Sequence, residues 1–210
     1  MASVAYTAFF PYVLPHVIGC PDPLLINAIR NAVIDFCTKT NVWQETQDPE
    51  TVSAMGLPYD LTGPTGASVI QVLSCKADGV TITPVTIDYL DELHTNWEEQ
   101  TGTVQHYFQP NTGQLSLYPI PGADTVLRLR VAYAPTRAST TTASDLFENN
   151  VIQIAAGSLA SLLIIPNTAW TDPKLSMYYE SIFNAGITTI QNDVQKQFGR
   201  ARNRVRSNPF

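Results

Sequence analysis

The sequence predicts an α+β protein: a helical bundle formed by both chain ends, with an inserted antiparallel β module, sandwich- or barrel-like in form. Three observations predict it. Apolar residues recur at helical spacing near the N-terminus and again across the last third of the chain. Between them lie short β-branched runs punctuated by Gly and Pro. A polar, low-complexity stretch, Thr136 to Ser144, separates those runs from the later helices. The expected boundaries are 1–41 plus 136–199 for the helical domain, 42–135 for the β module and 200–210 for a basic C-terminal arm.

The first helix is expected from Pro23 to Thr38. Asp22 offers an N-cap, and Pro23 sits at the first helical position, where its missing N–H is no loss. Leu25, Ile29, Ala32, Val33 and Phe36 then mark one face. Residues 1–20 are apolar and broken by Pro11 and Pro15, which suits packing on the bundle or lying across a neighbour.

In the middle, Val69 to Leu73 is a β-branched run, and Gly79 to Ile82 follows a Lys-Ala-Asp turn. Val85 to Glu92 has room for a strand and a helical turn. Val104 to Phe108 and Gln114 to Tyr118 flank Gln-Pro-Asn-Thr-Gly, a hairpin connection with Gly113 available for positive φ. From Thr125 to Tyr133 the chain alternates, with Leu127, Leu129, Val131 and Tyr133 to one side and Arg128, Arg130 and Ala132 to the other.

Ser144 can cap a second helix, with Asp145 and Glu148 in its first turn against the helix dipole. Leu146, Phe147, Val151, Ile154, Ala155, Leu159, Leu162 and Leu163 follow, and Pro166 ends it. Asp172-Pro173 then opens a third helix carrying Leu175, Tyr179, Ile182, Phe183, Ile187, Ile190 and Val194, with Gly199 as its C′ residue. The narrow apolar face of the first helix is most readily buried against the other two.

Charge is unevenly placed. Residues 1–195 carry a net −11 and residues 196–210 carry +5. Charged residues are only 14% of the chain, a sparse surface that suits contact with other protein. The acidic body argues against a general nucleic-acid binder. Cys20, Cys37 and Cys75 are odd in number and unpaired in spacing, reading as reduced thiols. The N-terminus lacks the basic residues of a signal peptide, and the apolar run Val151 to Ile165 is too short to span a bilayer. A soluble protein with no membrane partner is expected.

In the tail, Arg200, Arg202, Arg204 and Arg206 alternate strictly. Residues two apart share a face only on an extended chain. Such a terminus is either a solvated end or a row suited to carboxylate or phosphate acceptors. No phosphate loop, nucleophile elbow, Cys-x-x-Cys or His-Glu-x-x-His occurs. His16 and Cys20 lack the further ligands a metal needs. Asp88, Asp91, Glu92, Glu98 and Glu99 could bind a cation or form an acid–base pair. However, they lack calcium-loop spacing, and Leu93 and Trp97 interleave with them as surface-turn anchors. Tyr107, Phe108, Tyr118 and Tyr133 read as core or rim. No catalytic, cofactor or metal residue is assigned.

The segment Asp22 to Trp43, the run Gly113 to Pro121 with Leu127 to Pro135, and the region Ala155 to Pro173 with Tyr178 and Tyr179 resemble, in that order, head-to-tail adaptor proteins of tailed phages. The similarity is to the tail-tubular-protein-A-like connectors of short-tailed phages. That resemblance implies a non-enzymatic virion protein of the neck, made in the host bacterial cytoplasm. It implies a homo-oligomeric ring, twelve-fold in that family, under the portal protein, passing genomic DNA through its lumen without specific binding. The C-terminal segment of such adaptors reaches into the portal, so Arg200, Arg202, Arg204 and Arg206 become portal contacts on acidic grooves. The β module then faces a tail nozzle or tail-fibre protein, with the tip Pro110, Asn111, Thr112 and Gly113 as its contact. Two other readings stay open: a nucleic-acid-binding accessory protein using the arginine arm on phosphates, and an enzyme using the Asp88–Glu99 carboxylates.

Overall fold

A computed structural model describes residues 2–53, 58–93 and 96–198. Among these the protein is mixed α+β. The chain begins with β1 (Ser3–Ala5), α1 (Phe10–Val13) and α2 (Asp22–Thr40). β2 (Gln44–Thr46), β3 (Glu50–Val52) and β4 (Tyr59–Asp60) are short, and β5 (Ala67–Ala77) and β6 (Val80–Pro84) form a hairpin. α3 (Ile87–Leu93) and β7 (Thr101–Gly102) precede β8 (His106–Asn111), β9 (Gln114–Tyr118), β10 (Ile120–Pro121) and β11 (Thr125–Pro135). β12 (Thr141–Ala143), α4 (Ser144–Leu163) and α5 (Pro173–Gln195) follow. The chain divides into two compact units, one from both ends, up to Trp43 and from Pro135 onward, the other from Gln44 to Ala134.

In the first unit, α2 carries Leu25, Ile29, Ala32, Val33 and Phe36 fully or nearly buried, as their spacing predicts. Its start differs by one residue. Asp22 already lies in the first turn, and the Pro21 carbonyl accepts from Leu24 and Leu25 N–H. The carboxylate therefore acts on the dipole, not as a cap. At the other end α2 runs to Thr40 and stops where Asn41 turns left-handed (φ 51°), its N–H donating to the Cys37 carbonyl. Asn is one of the few residues that enter this region readily.

Ser144 does not cap α4; its backbone N–H donates to the Ala2 carbonyl, and its side chain makes no cap bond. α4 is also kinked at Asn150 (φ −132°, ψ 18°), which its apolar periodicity did not foretell. Next to it the Asn149 amide donates to the Asp145 carbonyl, one turn back, at 3.0 Å, and such side-chain competition for helix carbonyls bends helices. Asp172 does cap α5, accepting from Lys174 and Leu175 N–H at 3.1 Å each. α5 ends at Gln195, and Gln197 and Phe198 take positive φ; Gly199, expected as its C′ residue, lies outside the described residues.

α4 packs on both α2 and α5. Phe36 of α2 faces Phe183 of α5 at 6.1 Å, and Ser176 Oγ of α5 donates to the Ala160 carbonyl of α4 at 2.7 Å. The N-terminal segment packs within this unit: Tyr6, Phe9, Val13 and Val17 are buried, Phe9 meets Phe147 edge-on at 5.0 Å, and β1 pairs antiparallel with β12.

The second unit is one curled, mostly antiparallel sheet in the order β2-β11-β5-β6-β8-β9-β4, with β3 also on β11. Of the sandwich- or barrel-like forms expected, the curled main sheet excludes two packed sheets of a sandwich. β6 and β8 run parallel, and β7 and β10 make a separate parallel pair. A parallel neighbour needs a crossover, and the segment from Val85 to Gln105, with α3 inside it, is long enough to provide one. The β5–β6 turn is Asp78-Gly79, both at positive φ, with Lys76 and Ala77 still in the strand. β11 alternates as read over its first half: Leu127, Leu129, Val131 and Tyr133 are buried, Arg128 is exposed and Arg130 half-buried, but Ala132, expected on the opposite side, is buried too.

Candidate functional site

Arg200, Arg202, Arg204 and Arg206 lie outside the described residues. The other expected contact, the β8–β9 tip, is well defined. Asn111 pairs with Gln114, so the turn is Thr112-Gly113, and Gly113 does not adopt the left-handed φ expected of it. The Asn111 side chain replaces that device: its Oδ1 accepts from Gly113 N–H at 2.9 Å, and its Nδ2 donates to Gln114 Oε1 at 2.8 Å. Gln114 Nε2 donates onward to Asp60 Oδ1 at 3.0 Å, and Leu61 N–H to the Gly113 carbonyl at 2.8 Å. β4 thus braces the tip. Pro110, Asn111, Thr112 and Gly113 are all exposed. Beside them the Tyr59 hydroxyl donates to a Glu50 carboxylate; burial first, then that bond and charge, push the phenol up.

The acidic run lies on α3 and the turn after it. Asp88, Asp91, Glu92, Glu98 and Glu99 are exposed. Trp97 anchors the turn as expected, edge-on to Phe108 at 5.5 Å and to Tyr118 at 6.2 Å, its Nε1 donating to Asp91 Oδ1 at 2.6 Å. Leu93 does not anchor it; it is 45% exposed, and Leu90 is the buried residue. The helical phase of α3 puts residue 90 under Trp97 and residue 93 outside. Asp91, Asn96, Trp97, Glu98 and Glu99 line a half-open groove of about 250 Å³. Among the described residues no three His, Cys, Asp or Glu side chains converge to hold a metal. His16 instead meets the Tyr179 ring at 5.5 Å, and Cys20 is a buried free thiol. Tyr107, Phe108, Tyr118 and Tyr133 are buried, which fits core packing and leaves none as a free stacking platform.

A further pair escaped the sequence reading. Arg30 on α2 donates through Nη1 to the Arg137 carbonyl and lies over the Tyr6 ring at 5.9 Å. Arg137 in turn donates through Nη1 to Asn31 Oδ1 at 3.4 Å. The Tyr6 hydroxyl, bonded to Ser139 Oγ at 2.8 Å, pins the turn that carries Arg137. Neither arginine has a carboxylate partner among the described residues. They are 107 positions apart, so no motif spacing could have joined them.

The described residues thus present a braced, exposed β8–β9 tip and an exposed acidic turn beside α3. The model of the SU10 adaptor protein family matches residues 14–207, and the chain belongs to that family, a family of phage head-to-tail adaptors. It is therefore a bacteriophage head–tail connector protein of structural type. No curated protein matches the chain. No helix among the described residues is long and apolar enough to cross a membrane.

Proposed function

We propose that this chain is the subunit of a closed ring in the virion neck, twelve-fold, that joins the portal to the tail and carries the DNA channel between them. Family membership across residues 14–207 is the observation that supports this most strongly. In this reading α2, α4 and α5 form one bundle closed by both chain ends, and the 44–134 unit is the tail-facing module. The arm with Arg200, Arg202, Arg204 and Arg206 docks on acidic portal grooves, and the tip Pro110 to Gly113 meets a nozzle or fibre protein. The ring has no catalytic role. Its acidic body suits a passage for DNA, because like charge on the wall keeps a phosphate backbone from sticking.

The test is mass and shape by light scattering and negative-stain microscopy, alone and with the portal of the same phage. Rings of about twelve subunits, alone or formed on the portal, are the expected result. A monomer that ignores the portal and retards duplex DNA at low salt overturns the reading in favour of phosphate binding by the arm.

A further inference from the structure

Two unmatched charge features of opposite sign sit on the described surface. One is Arg30 with Arg137. Arg30 is only partly exposed, its Nε is buried without an acceptor, and its Nη1 bond goes to a neutral carbonyl. A half-buried guanidinium without a counter-charge is unfavourable in the lone subunit, and a carboxylate from outside relieves it. Tyr6, Asn31 and Ser139 hold this pair in place through the ring contact and hydrogen bonds already described, so little order is lost on meeting a partner.

The other feature is the outer face of α3. Tyr89 and Leu93, four residues apart and so on one flank of it, are 47% and 45% exposed; Ile87, 43% exposed, lies on the other flank, and Leu90 is the helix's single buried residue. Between these flanks stand Asp88, Asp91 and Glu92, with Glu98 and Glu99 in the turn after the helix, none with a cationic partner among the described residues. The 44–134 unit as a whole holds eleven carboxylates against Lys76, Arg128 and Arg130. A row of unpaired carboxylates with exposed apolar side chains at its edges suits a partner surface that brings positive charge.

We propose that Arg30 and Arg137 of one copy receive the acidic α3 face of the next copy. The charges are complementary, and the two patches belong to different parts of the chain. Such a contact is heterologous, the kind that propagates head to tail and closes into a ring. The inference rests on the ring reading and gives it a specific junction. DNA phosphate is a weaker occupant, because two cations on an otherwise acidic surface make no backbone-tracking groove.

The test is a charge swap at exposed positions, read as the subunit concentration for half-assembly, with the portal present if the wild type needs it. Arg137→Glu alone and Glu98→Lys/Glu99→Lys alone should each raise that concentration about tenfold or more. The triple variant carrying all three changes in one chain should recover part of the loss, because the carboxylate placed at 137 again meets opposite charge at 98 and 99. Circular dichroism of each variant separates misfolding from lost contact, and Arg137→Gln, which removes the charge without reversing it, should fall between wild type and Arg137→Glu. Wild-type rings with unaffected Arg137→Glu assembly, or no recovery in the triple variant, overturn this junction and leave the ring intact. A wild type that never assembles overturns both. Loss of duplex-DNA binding in Arg137→Glu, with assembly unchanged, reassigns the pair to phosphate.

Discussion

Gly157 of α4 lies directly beneath Phe183 of α5: a Cβ built on the glycine would come within 2.8 Å of two ring carbons. The ring is buried and also faces Phe36, so it has little room to withdraw. Gly157→Ala gains about 1 kcal/mol of helix propensity. Overpacking costs about 1–3 kcal/mol, and against a confined aromatic ring the larger end applies. A net loss of about 1 kcal/mol or more is expected in urea denaturation. Gly186 is the control. Its Cβ would come within 2.5 Å of Gln153 Cγ, but the half-buried Gln153 can turn about χ1 where the confined Phe183 ring cannot, so Gly186→Ala should cost less than Gly157→Ala. The reverse order would refute this packing.

The two helix starts make opposite predictions. Asp172 accepts two backbone N–H bonds, and Asp172→Ala should lose about 1 kcal/mol. Ser144 makes no cap bond with its side chain, so Ser144→Ala should stay within about 0.5 kcal/mol of wild type. Equal losses at both sites would contradict the geometry.

Burial pushes the Cys37 and Cys75 thiols up from the ordinary 9.0 to about 12. Each is held neutral in the folded state while the unfolded chain ionises near its ordinary value. The unfolded state therefore binds fewer protons between about pH 9 and 12, and stability falls as pH rises there. Below pH 9 that stabilisation is fully present. The slope is on the order of 1 kcal/mol per pH unit for each thiol. Denaturation midpoints should be level in this respect from pH 7 to 8 and drop by pH 10. Cys37→Ala/Cys75→Ala should be less stable at pH 7 yet fall less steeply, and an equal slope would count against the thiols as the cause.

The braced tip yields a functional prediction. Asn111→Ala removes the acceptor for Gly113 N–H and the donor to Gln114, on an exposed turn where the stability loss is about 0.5–1.5 kcal/mol. Deleting Pro110 to Gly113 should impair tail attachment before portal attachment in reconstituted virion necks. Impaired portal binding with normal tail attachment would reverse the assigned direction of the module.

The arm yields another. Replacing Arg200, Arg202, Arg204 and Arg206 with Ala should weaken portal binding and flatten its salt dependence, because charge-assisted bonds between exposed partners are screened. Unchanged affinity at both low and high salt would remove the arm from the portal interface.

Much of this was legible in one dimension because it depends on near neighbours. The α2 face, the Asp172 cap, the alternation of β11 and the Trp97 anchor all rest on spacings within a few residues, which backbone geometry converts directly into faces and caps. The family resemblance was legible for a related reason, since it sits in several local stretches kept in order.

Other features were decided by groups distant in sequence. Ser144 lost its capping role when its N–H met Ala2, and Gly113 was relieved of a left-handed turn by the Asn111 side chain and the β4 brace. The parallel β6–β8 pair came from a crossover whose return point no local propensity encodes. Most of all, Arg30 and Arg137 became neighbours only through tertiary contact. By itself the sequence determined the α+β class, the helix faces and the charge split between body and tail. Tertiary structure alone decided which strands pair, where α4 bends and which charges stand unmatched, because partners far apart in the chain are chosen by packing in three dimensions.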